Sequence, residues 1–188
     1  MSRGPGRRQT RRVAELTRPD VRLRGSFLAA MEEFRDEGRA GDESMIGWDF
    51  ARFADTWESD EGFAAYVRET LEEEHRPRGE GFVCQTNWWW TEDGEYLGRI
   101  SLRHELTAGL REWGGHIGYD VRRSRRRQGH ATAMLAAVLG EAHRKGIDPA
   151  LLTCDADNLA SRKVIVANGG VLADQRGHKL RFWVPTSP

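Results

Sequence analysis

The chain has 188 residues, a length that suits one domain with a sizeable core and is short for two domains. Its 29 basic residues balance 29 acidic residues, so the formal net charge is zero and the pI is near 7.0. This balance argues against a general nucleic-acid-binding protein.

The charges are nevertheless segregated along the chain. Residues 3–24 are strongly basic and residues 32–74 are strongly acidic. Arginine, glycine and proline dominate residues 1–12, a composition that predicts a disordered basic arm in front of a domain spanning residues 13–188.

The two cysteines, Cys84 and Cys154, stand far apart in apolar runs, with no CxxC and no His/Cys cluster. This pattern predicts buried thiols in a reducing compartment and no metal site. No apolar stretch is long enough to cross a bilayer, and no apolar run follows the N-terminal arginines as in a secretory signal. We therefore expect a cytoplasmic protein without a membrane partner.

The first half of the chain predicts a short strand and two helical regions. "VAELTRPD" is typical of a strand that ends at Pro19. Apolar residues at helical spacing follow, and Gly38 ends that helix. The stretch "GRAGDESMIGWD" predicts a polar loop, and a second helical region runs from about Asp49 to Glu74 with a break near residues 59–62.

The second half alternates strands and helices. Asp93-Gly94 lies between two β-rich runs and predicts a hairpin, and "GGHIGYDV" predicts a third strand. An amphipathic helix from Gly129 to Lys145 precedes the buried strand "PALLTCD", and Asp157 or Asn158 can cap the last helix. A final strand pair completes a predicted mixed α/β sheet flanked by helices.

The stretch "RRSRRRQGHATAML", residues 122–135, places five arginines in six positions before a predicted helix. Gly129 allows a ligand close to the backbone, and the first amides of the helix lack partners within it, so the turn can hold phosphate. A solvated basic turn is the alternative. Neither the P-loop pattern GxxxxGK[ST] nor the dinucleotide pattern GxGxxG is present.

Two segments together resemble the GNAT superfamily of acyl-CoA-dependent N-acyltransferases. In "HIGYDVRRSRRRQGHATAMLAAVLGEAHRKGI", Val121 ends a strand, and Arg126, Gly129 and Ala131 match R/Q-x-x-G-x-G/A. In "LLTCDADNLASRKVIVANGGVL", Asn158 and Ser161 match the later N-x-x-S/A motif. The "LRHEL", "GGHIGY" and "TCDxDNxAS" runs are similar to a branch of acetyltransferases. The resemblance implies a single-domain α/β fold with a mixed twisted central sheet flanked by helices, and acetyl-CoA as the cofactor.

The resemblance also implies which residues contact acetyl-CoA. Backbone groups at Tyr119, Val121 and Arg123 are expected to bond the pantetheine arm. The amides of the turn and first helical residues are expected to hold the pyrophosphate, those of Arg127, Gln128, Gly129, His130, Ala131 and Thr132. Arg126 of the motif is also expected to bind the cofactor. Asn158 and Ser161 are expected to contact the pantetheine or a phosphate.

Catalysis requires a base that takes a proton from the acceptor amine. His116 lies near the position where many family members carry a carboxylate base, and its ordinary pKa suits the role. His104 and Glu105 are further candidates. Ile165 stands where many members have a tyrosine that protonates the leaving thiolate, so the acid is unassigned, with water or Tyr119 as alternatives.

The sequence leaves the acceptor open. Trp88 and Trp90 face one side of a strand and Trp89 the other, so one face can line an acceptor pocket. The acidic stretch 32–74 favours a cationic amine if it is more than a solvated helix face. Two functions remain: an N-acetyltransferase acting in a ternary complex, or a non-catalytic module that binds coenzyme A or nucleic acid. Nucleic acid is disfavoured by the pI, and a homodimer is left open.

Overall fold

The structure is a computed structural model that describes residues 13–187, so the predicted arm lies outside the described residues. Five α-helices are described: α1 Arg24–Asp36, α2 Met45–Phe53, α3 Asp60–Glu72, α4 His130–Arg144 and α5 Leu159–Ala167. Seven strands accompany them: β1 Glu15–Thr17, β2 Gln85–Glu92, β3 Glu95–Arg103, β4 Ile117–Val121, β5 Ala150–Asp155, β6 Val171–Arg176 and β7 Lys179–Val184. This order confirms the predicted single-domain α/β fold.

The strands form two sheets in which every described pairing is antiparallel. The first sheet has the order β1-β2-β3-β4 and the second has the order β5-β7-β6. The sheets meet just before β4, where the amide of His116 donates to the carbonyl of Leu151 at 2.7 Å. Two antiparallel sheets in contact thus take the place of the one mixed sheet that we expected.

The β2–β3 hairpin turns at the predicted position. Asp93 and Gly94 have φ values of 50° and 77°, and two consecutive left-handed residues are the requirement of a tight hairpin turn. Asp and Gly are residue types that adopt this conformation readily. The hairpin prediction is confirmed.

Helix α2 begins earlier than predicted because its capping residue lies inside the stretch predicted as a loop. The Ser44 hydroxyl accepts a bond from the Gly47 amide at 3.2 Å, a typical N-cap contact. A Cβ at Gly47 would lie 2.0 Å from the Asp42 carbonyl oxygen, so glycine is required where the chain enters the helix. Helix α3 begins after Ser59, which caps it in the same way.

The first sheet carries a hydrophobic core on each face. Helices α1–α3 cover one face with an aromatic cluster centred on the fully buried Phe27. Five rings lie 5.1–5.5 Å from the Phe27 ring, those of Trp57, Phe63, Tyr66, Trp89 and Tyr96. Helices α4 and α5 cover the other face with largely aliphatic residues.

The three consecutive tryptophans divide between these cores as their alternation predicts. Trp88 and Trp90 belong to the α4 side and Trp89 to the α1 side, and all three are buried. Both faces of this segment are therefore core. The structure does not support a pocket wall at these rings.

In residues 13–187, no helix combines the length and apolar character that a membrane-spanning segment needs.

Candidate active site

The turn between β4 and α4 has the backbone shape of an anion-binding site. Arg127 and Gly129 are both left-handed, with φ values of 61° and 85°. Gly129 is the N-cap of α4 and supplies no side-chain bond to the first amides of the helix. Those amides have no acceptor within the helix, and the helix dipole places partial positive charge there. The turn can therefore bind phosphate through its backbone.

This turn opens onto a cleft of about 810 Å³ between β4, the start of α4 and the start of α5. A Cβ built at Gly129 would meet no atom within 4 Å, so the space over the turn is open. The predicted cofactor residues that line the cleft are Tyr119, Val121, Arg123, Arg126, Arg127, Gly129, His130, Ala131, Thr132, Asn158 and Ser161. Gln128 is not in the lining, and its side-chain amide lies 3.4 Å from the Ser124 carbonyl. The roles of these residues toward a cofactor stay predictions.

Three of the five arginines in the turn form ion pairs inside the protein, and two of these, Arg122 and Arg125, share Glu95. The buried Arg122 binds Glu33 at 2.5 Å and Glu95 at 3.2 Å. Arg125 also pairs with Glu95. Burial raises the pKa of Glu33, but bonds from Arg122 and Ser124 outweigh burial and hold that pKa below its ordinary value. These arginines attach the turn to α1 and to the hairpin.

A third arginine, Arg126, braces the turn itself. Its guanidinium makes a bidentate pair with Glu37, at 2.6 and 2.7 Å, and donates to the Val121 carbonyl at 2.8 Å. Within residues 13–187, neither Arg123 nor Arg127 forms an ion pair. Arg123 and Arg127 line the cleft and are the arginines of the turn that no carboxylate of the described residues pairs with.

Tyr119 and Ser161 connect the two walls of the cleft. The Tyr119 hydroxyl lies 2.8 Å from the Ser161 hydroxyl, and Asn158 caps α5 by accepting from the Ser161 amide at 3.0 Å. Burial raises the pKa of Tyr119 to about 12, although the bond with Ser161 lowers it in part. The phenol is therefore protonated at neutral pH and can donate a proton into the cleft.

His116 does not have the environment that we predicted for a base. It precedes β4, and its Nδ1 accepts from the Leu151 amide at 2.8 Å. Burial, with Arg111 and Arg103 nearby, lowers its pKa to about 4. His116 is absent from the cleft lining, and the bond to Leu151 occupies its Nδ1 lone pair. The geometry opposes the predicted role and supports joining the two sheets.

The other two candidate bases also lie away from the cleft. His104 and Glu105 follow the end of β3 instead of lying within it, and neither lines the cleft. His104 Nε2 bonds the Thr86 hydroxyl at 2.8 Å, and burial together with Lys145 lowers its pKa. Glu105 is exposed. Their placement does not support the predicted catalytic roles.

Sequence reasoning missed the carboxylate that does line the cleft. Asp120 is on β4, and one of its oxygens lies 2.9 Å from Arg39 Nη2. Arg39 also lines the cleft and pairs with Asp42 at 2.5 Å. Because side chains alternate along β4, the sequence places Asp120 on the same face as His116, and this could have identified it as a candidate base. Its ion pair with Arg39 could not be predicted from the sequence.

The fold and cleft define an α/β protein with an open cleft at the start of a helix, beside the end of a strand. Comparison with protein families makes the class definite: residues 34–171 match the model of the acetyltransferase (GNAT) domain. The chain belongs to this family and is an acyltransferase. This confirms the predicted resemblance, the fold class, the enzyme class and acetyl-CoA as the cofactor. No curated protein sequence matches the chain at a significant level.

Solved structures with similar folds include the microcin C7 self-immunity acetyltransferase MccE in complex with acetyl-CoA and AMP. It has a TM-score of 0.62 and 10% identity, with 92% of each chain covered. RimJ of Mycobacterium smegmatis, in complex with a CoA disulfide, has a TM-score of 0.62 and 17% identity, covering 92% of this chain and 80% of that one.

The ribosomal-protein α-N-acetyltransferase RimL, in complex with coenzyme A, has a TM-score of 0.61 and 16% identity. The match covers 90% of this chain and 92% of RimL. At these identities the likeness establishes the fold, and the acceptors of these proteins do not transfer to this chain.

Proposed function

We propose that this protein transfers the acetyl group of acetyl-CoA to an amine by direct attack in a ternary complex. The observation that carries the proposal is the turn at Gly129, where a left-handed backbone without a side chain joins an uncapped helix to an open cleft. Family membership supports the same reaction.

The residues of the cleft fit the cofactor. The amides that begin α4 suit the pyrophosphate. Arg123 and Arg127, which pair with no carboxylate of residues 13–187, add positive charge beside them. We assign the backbone of β4 near Tyr119 to bond the pantetheine arm. Bound acetyl-CoA supplies a thioester that an amine can attack, and alignment of the two reactants by the protein accounts for much of the acceleration.

Asp120 is the group that we assign to accept the proton of the amine, directly or through water. Among the described residues that line the cleft, Asp120 is the one with a carboxylate, and it lies on β4 next to Tyr119. Its ion pair with Arg39 fixes its orientation. A positioned base of this kind typically accelerates proton transfer by about 10²- to 10⁴-fold.

Tyr119 is the group that we assign to protonate the leaving thiolate. Its hydroxyl is in the cleft wall, remains protonated at neutral pH and bonds Ser161 on the opposite wall. The Ser161 hydroxyl can stabilise the phenolate that forms. The general acid is thus assigned to a residue of β4. The helix position where the resemblance leads us to expect a tyrosine holds Ile165, which is fully buried and has no proton to donate.

The turn gives little support to the alternative of a module that binds nucleic acid, because Arg122, Arg125 and Arg126 are paired with carboxylates of the chain. That alternative relies on the basic arm, and residues 1–12 lie outside the described residues. We expect the arm to be dispensable for acetyl transfer, because its composition cannot build a core.

The proposal is tested by incubating the protein with acetyl-CoA and a panel of primary amines. Release of the coenzyme A thiol must accompany a mass increase of one acetyl group on the amine. Binding of acetyl-CoA without transfer to any amine would contradict the proposal.

The two catalytic assignments are tested with matched variants. We expect Asp120→Asn to lower kcat by about 100-fold or more, while acetyl-CoA affinity stays nearly unchanged. Asp42→Asn is the control, because it removes the other carboxylate on Arg39 outside the cleft lining. Tyr119→Phe should also lower kcat with the Kd for acetyl-CoA retained. If Asp42→Asn lowers kcat as much as Asp120→Asn, Asp120 acts only through Arg39.

A further inference from the structure

A layer of polar side chains is buried between the first sheet and helices α2 and α3. Its members are less than one-tenth exposed: Asp49, Thr70, Glu73, Gln85, Asn87, Arg99 and Ser101. Each of the two carboxylates has an arginine partner, because Asp49 pairs with Arg99 and Glu73 pairs with Arg78 at 2.8 Å. Gln85 and Asn87 also donate to Glu73, at 2.6 and 2.8 Å. Within each of these two ion pairs, the negative charge is neutralised by the arginine.

Arg103 adds a third cation to this layer without a matching anion. It follows Arg99 and Ser101 at every second position of β3, so the three side chains share one face of the strand. Arg103 is half-buried, and its Nη1 donates to the carbonyls of Gly114 and Gly115, both at 3.1 Å. Among the described residues, no carboxylate bonds its guanidinium, which leaves three of its five N–H groups for another acceptor.

The surroundings of Arg103 disfavour its charge. Burial, and then the positive charges of Arg78 and Arg99, lower its pKa to about 10. A cation held in such a place without a counter-ion destabilises the fold, and functional sites are where such an arrangement is commonly found. An anion at this position would remove the imbalance.

Arg103 lies beside the strand that forms one wall of the cleft. Its Nη1 is 3.8 Å from the position that a Cβ would take at Gly118. Gly118 is followed by Tyr119 and Asp120, both in the cleft wall. Three residues of strand, about 10 Å, separate Gly118 from Val121 at the start of the phosphate-binding turn. Arg103 is not part of the cleft lining itself. It lies at the end of β4 remote from the phosphate-binding turn, the end at which we expect the thioester and the amine to meet.

We propose that Arg103 binds a carboxylate of the acceptor, so that the acceptor is an amine that also carries a carboxylate. The inference rests on the proposed function, since it names the acceptor class of that site. It also replaces the cationic acceptor that the acidic stretch suggested. The planar guanidinium offers two parallel N–H groups, which match the two oxygens of a carboxylate. A free amino acid and a peptide with an acidic residue near its N-terminus both supply this chemistry.

The first test compares acceptors that differ only in the carboxylate. Free amino acids are assayed against their primary amides, and peptides with Asp at the second position against the same peptides with Asn. We expect kcat/KM to be about 10- to 100-fold higher for the carboxylate in one of these two series, the range of one charge-assisted contact. The series that shows the preference identifies the source of the carboxylate.

The second test removes the guanidinium. Arg103→Gln should lower kcat/KM about 10- to 100-fold for the carboxylate acceptor, mainly through KM, and leave the uncharged acceptor nearly unaffected. Arg111→Gln is the control, because Arg111 is an exposed arginine whose charge also acts on His116. Acetyl-CoA affinity, measured by calorimetry, should be unchanged in both variants.

The outcomes separate this inference from the proposed function. Equal kcat/KM for carboxylate and uncharged acceptors in the wild type would overturn the inference and leave acetyl transfer intact. Arg103→Gln lowering both acceptors by the same factor would also overturn it, and would assign Arg103 to holding Gly114 and Gly115. Failure to acetylate any amine would overturn the proposed function and the inference together.

Discussion

The arginine turn at residues 122–127 and the acidic stretch at residues 32–74 carry opposite charges in the sequence, and in the fold two ion pairs join them. Glu33 and Glu37 of α1 bind Arg122 and Arg126 of the turn. The charge of either region in the sequence therefore overstates the charge that a ligand would encounter in the folded protein.

A charged side chain indicates a ligand-binding site only when its partners in the folded protein are known. Arg103 stands in an ordinary strand sequence and attracted no attention, yet it is a half-buried cation without a carboxylate partner among the described residues. Arg127 belongs to a conspicuous cluster, and like Arg123 it has no carboxylate partner within residues 13–187.

The largest effect is expected at the backbone of the turn, which binds without any arginine. Gly129→Glu should weaken acetyl-CoA binding by more than about 100-fold, because a charged side chain would occupy the place of the phosphate. Gly146→Glu is the matched control at the other end of α4, where φ is 75° and the space is also open. Calorimetry that finds equal Kd values for the two variants would remove the phosphate site from this turn.

A paired arginine should matter to stability. Glu33→Gln leaves the buried Arg122 without its nearest carboxylate, and we expect a loss of about 3 kcal/mol in the free energy of unfolding, measured with urea. The pKa of Glu33 is lowered from 4.5, so its contribution is present above pH 4.5 and is lost as the pH falls through the folded value. A variant as stable as the wild type at pH 7 would contradict this assignment.

An unpaired arginine should matter to binding. Arg127→Gln is expected to weaken acetyl-CoA binding about 10-fold with little change in the free energy of unfolding, because its charge has no partner among residues 13–187. Arg126→Gln should show the reverse pattern, since its guanidinium pairs with Glu37. Similar losses of affinity in both variants would show that pairing does not divide the arginines.

The smallest effect on turnover is expected at His116. His116→Asn should keep kcat within about 3-fold of the wild type, because the histidine is bonded to Leu151 and lies outside the cleft lining. Its pKa falls from 6.5 to about 4 on folding, so its contribution to stability is present above pH 6.5 and is lost as the pH falls toward 4. A 100-fold loss of kcat would restore His116 as the base.

The fold could be predicted where the signals are local. Asp93-Gly94 and Gly129 act through their own backbone conformation, and Asn158 caps its own helix, so three to six residues of sequence suffice for each. The start of α2 was missed because Ser44 lies among polar residues that also suit a loop.

The site could be predicted only in part, since much of it depends on distant partners. The Glu33–Arg122 pair joins residues 89 positions apart, and no periodic pattern in the sequence predicts it. The lowered pKa of His116 comes from burial, which the strand pattern alone does not specify. The cofactor turn was foreseen because its chemistry resides in consecutive residues, whereas Asp120 and Arg103 gain their meaning from the neighbouring elements.

The contact between Glu33 and the phosphate-binding turn has a thermodynamic consequence. Glu33 accepts from the Arg122 side chain and from both the amide and the hydroxyl of Ser124, so these bonds join α1 and the turn as one unit. Helix α1 also packs on the sheet face that carries Arg103. If cofactor binding orders this unit, the acceptor binds more tightly to the loaded enzyme, and the acceptor must raise cofactor affinity by the same factor.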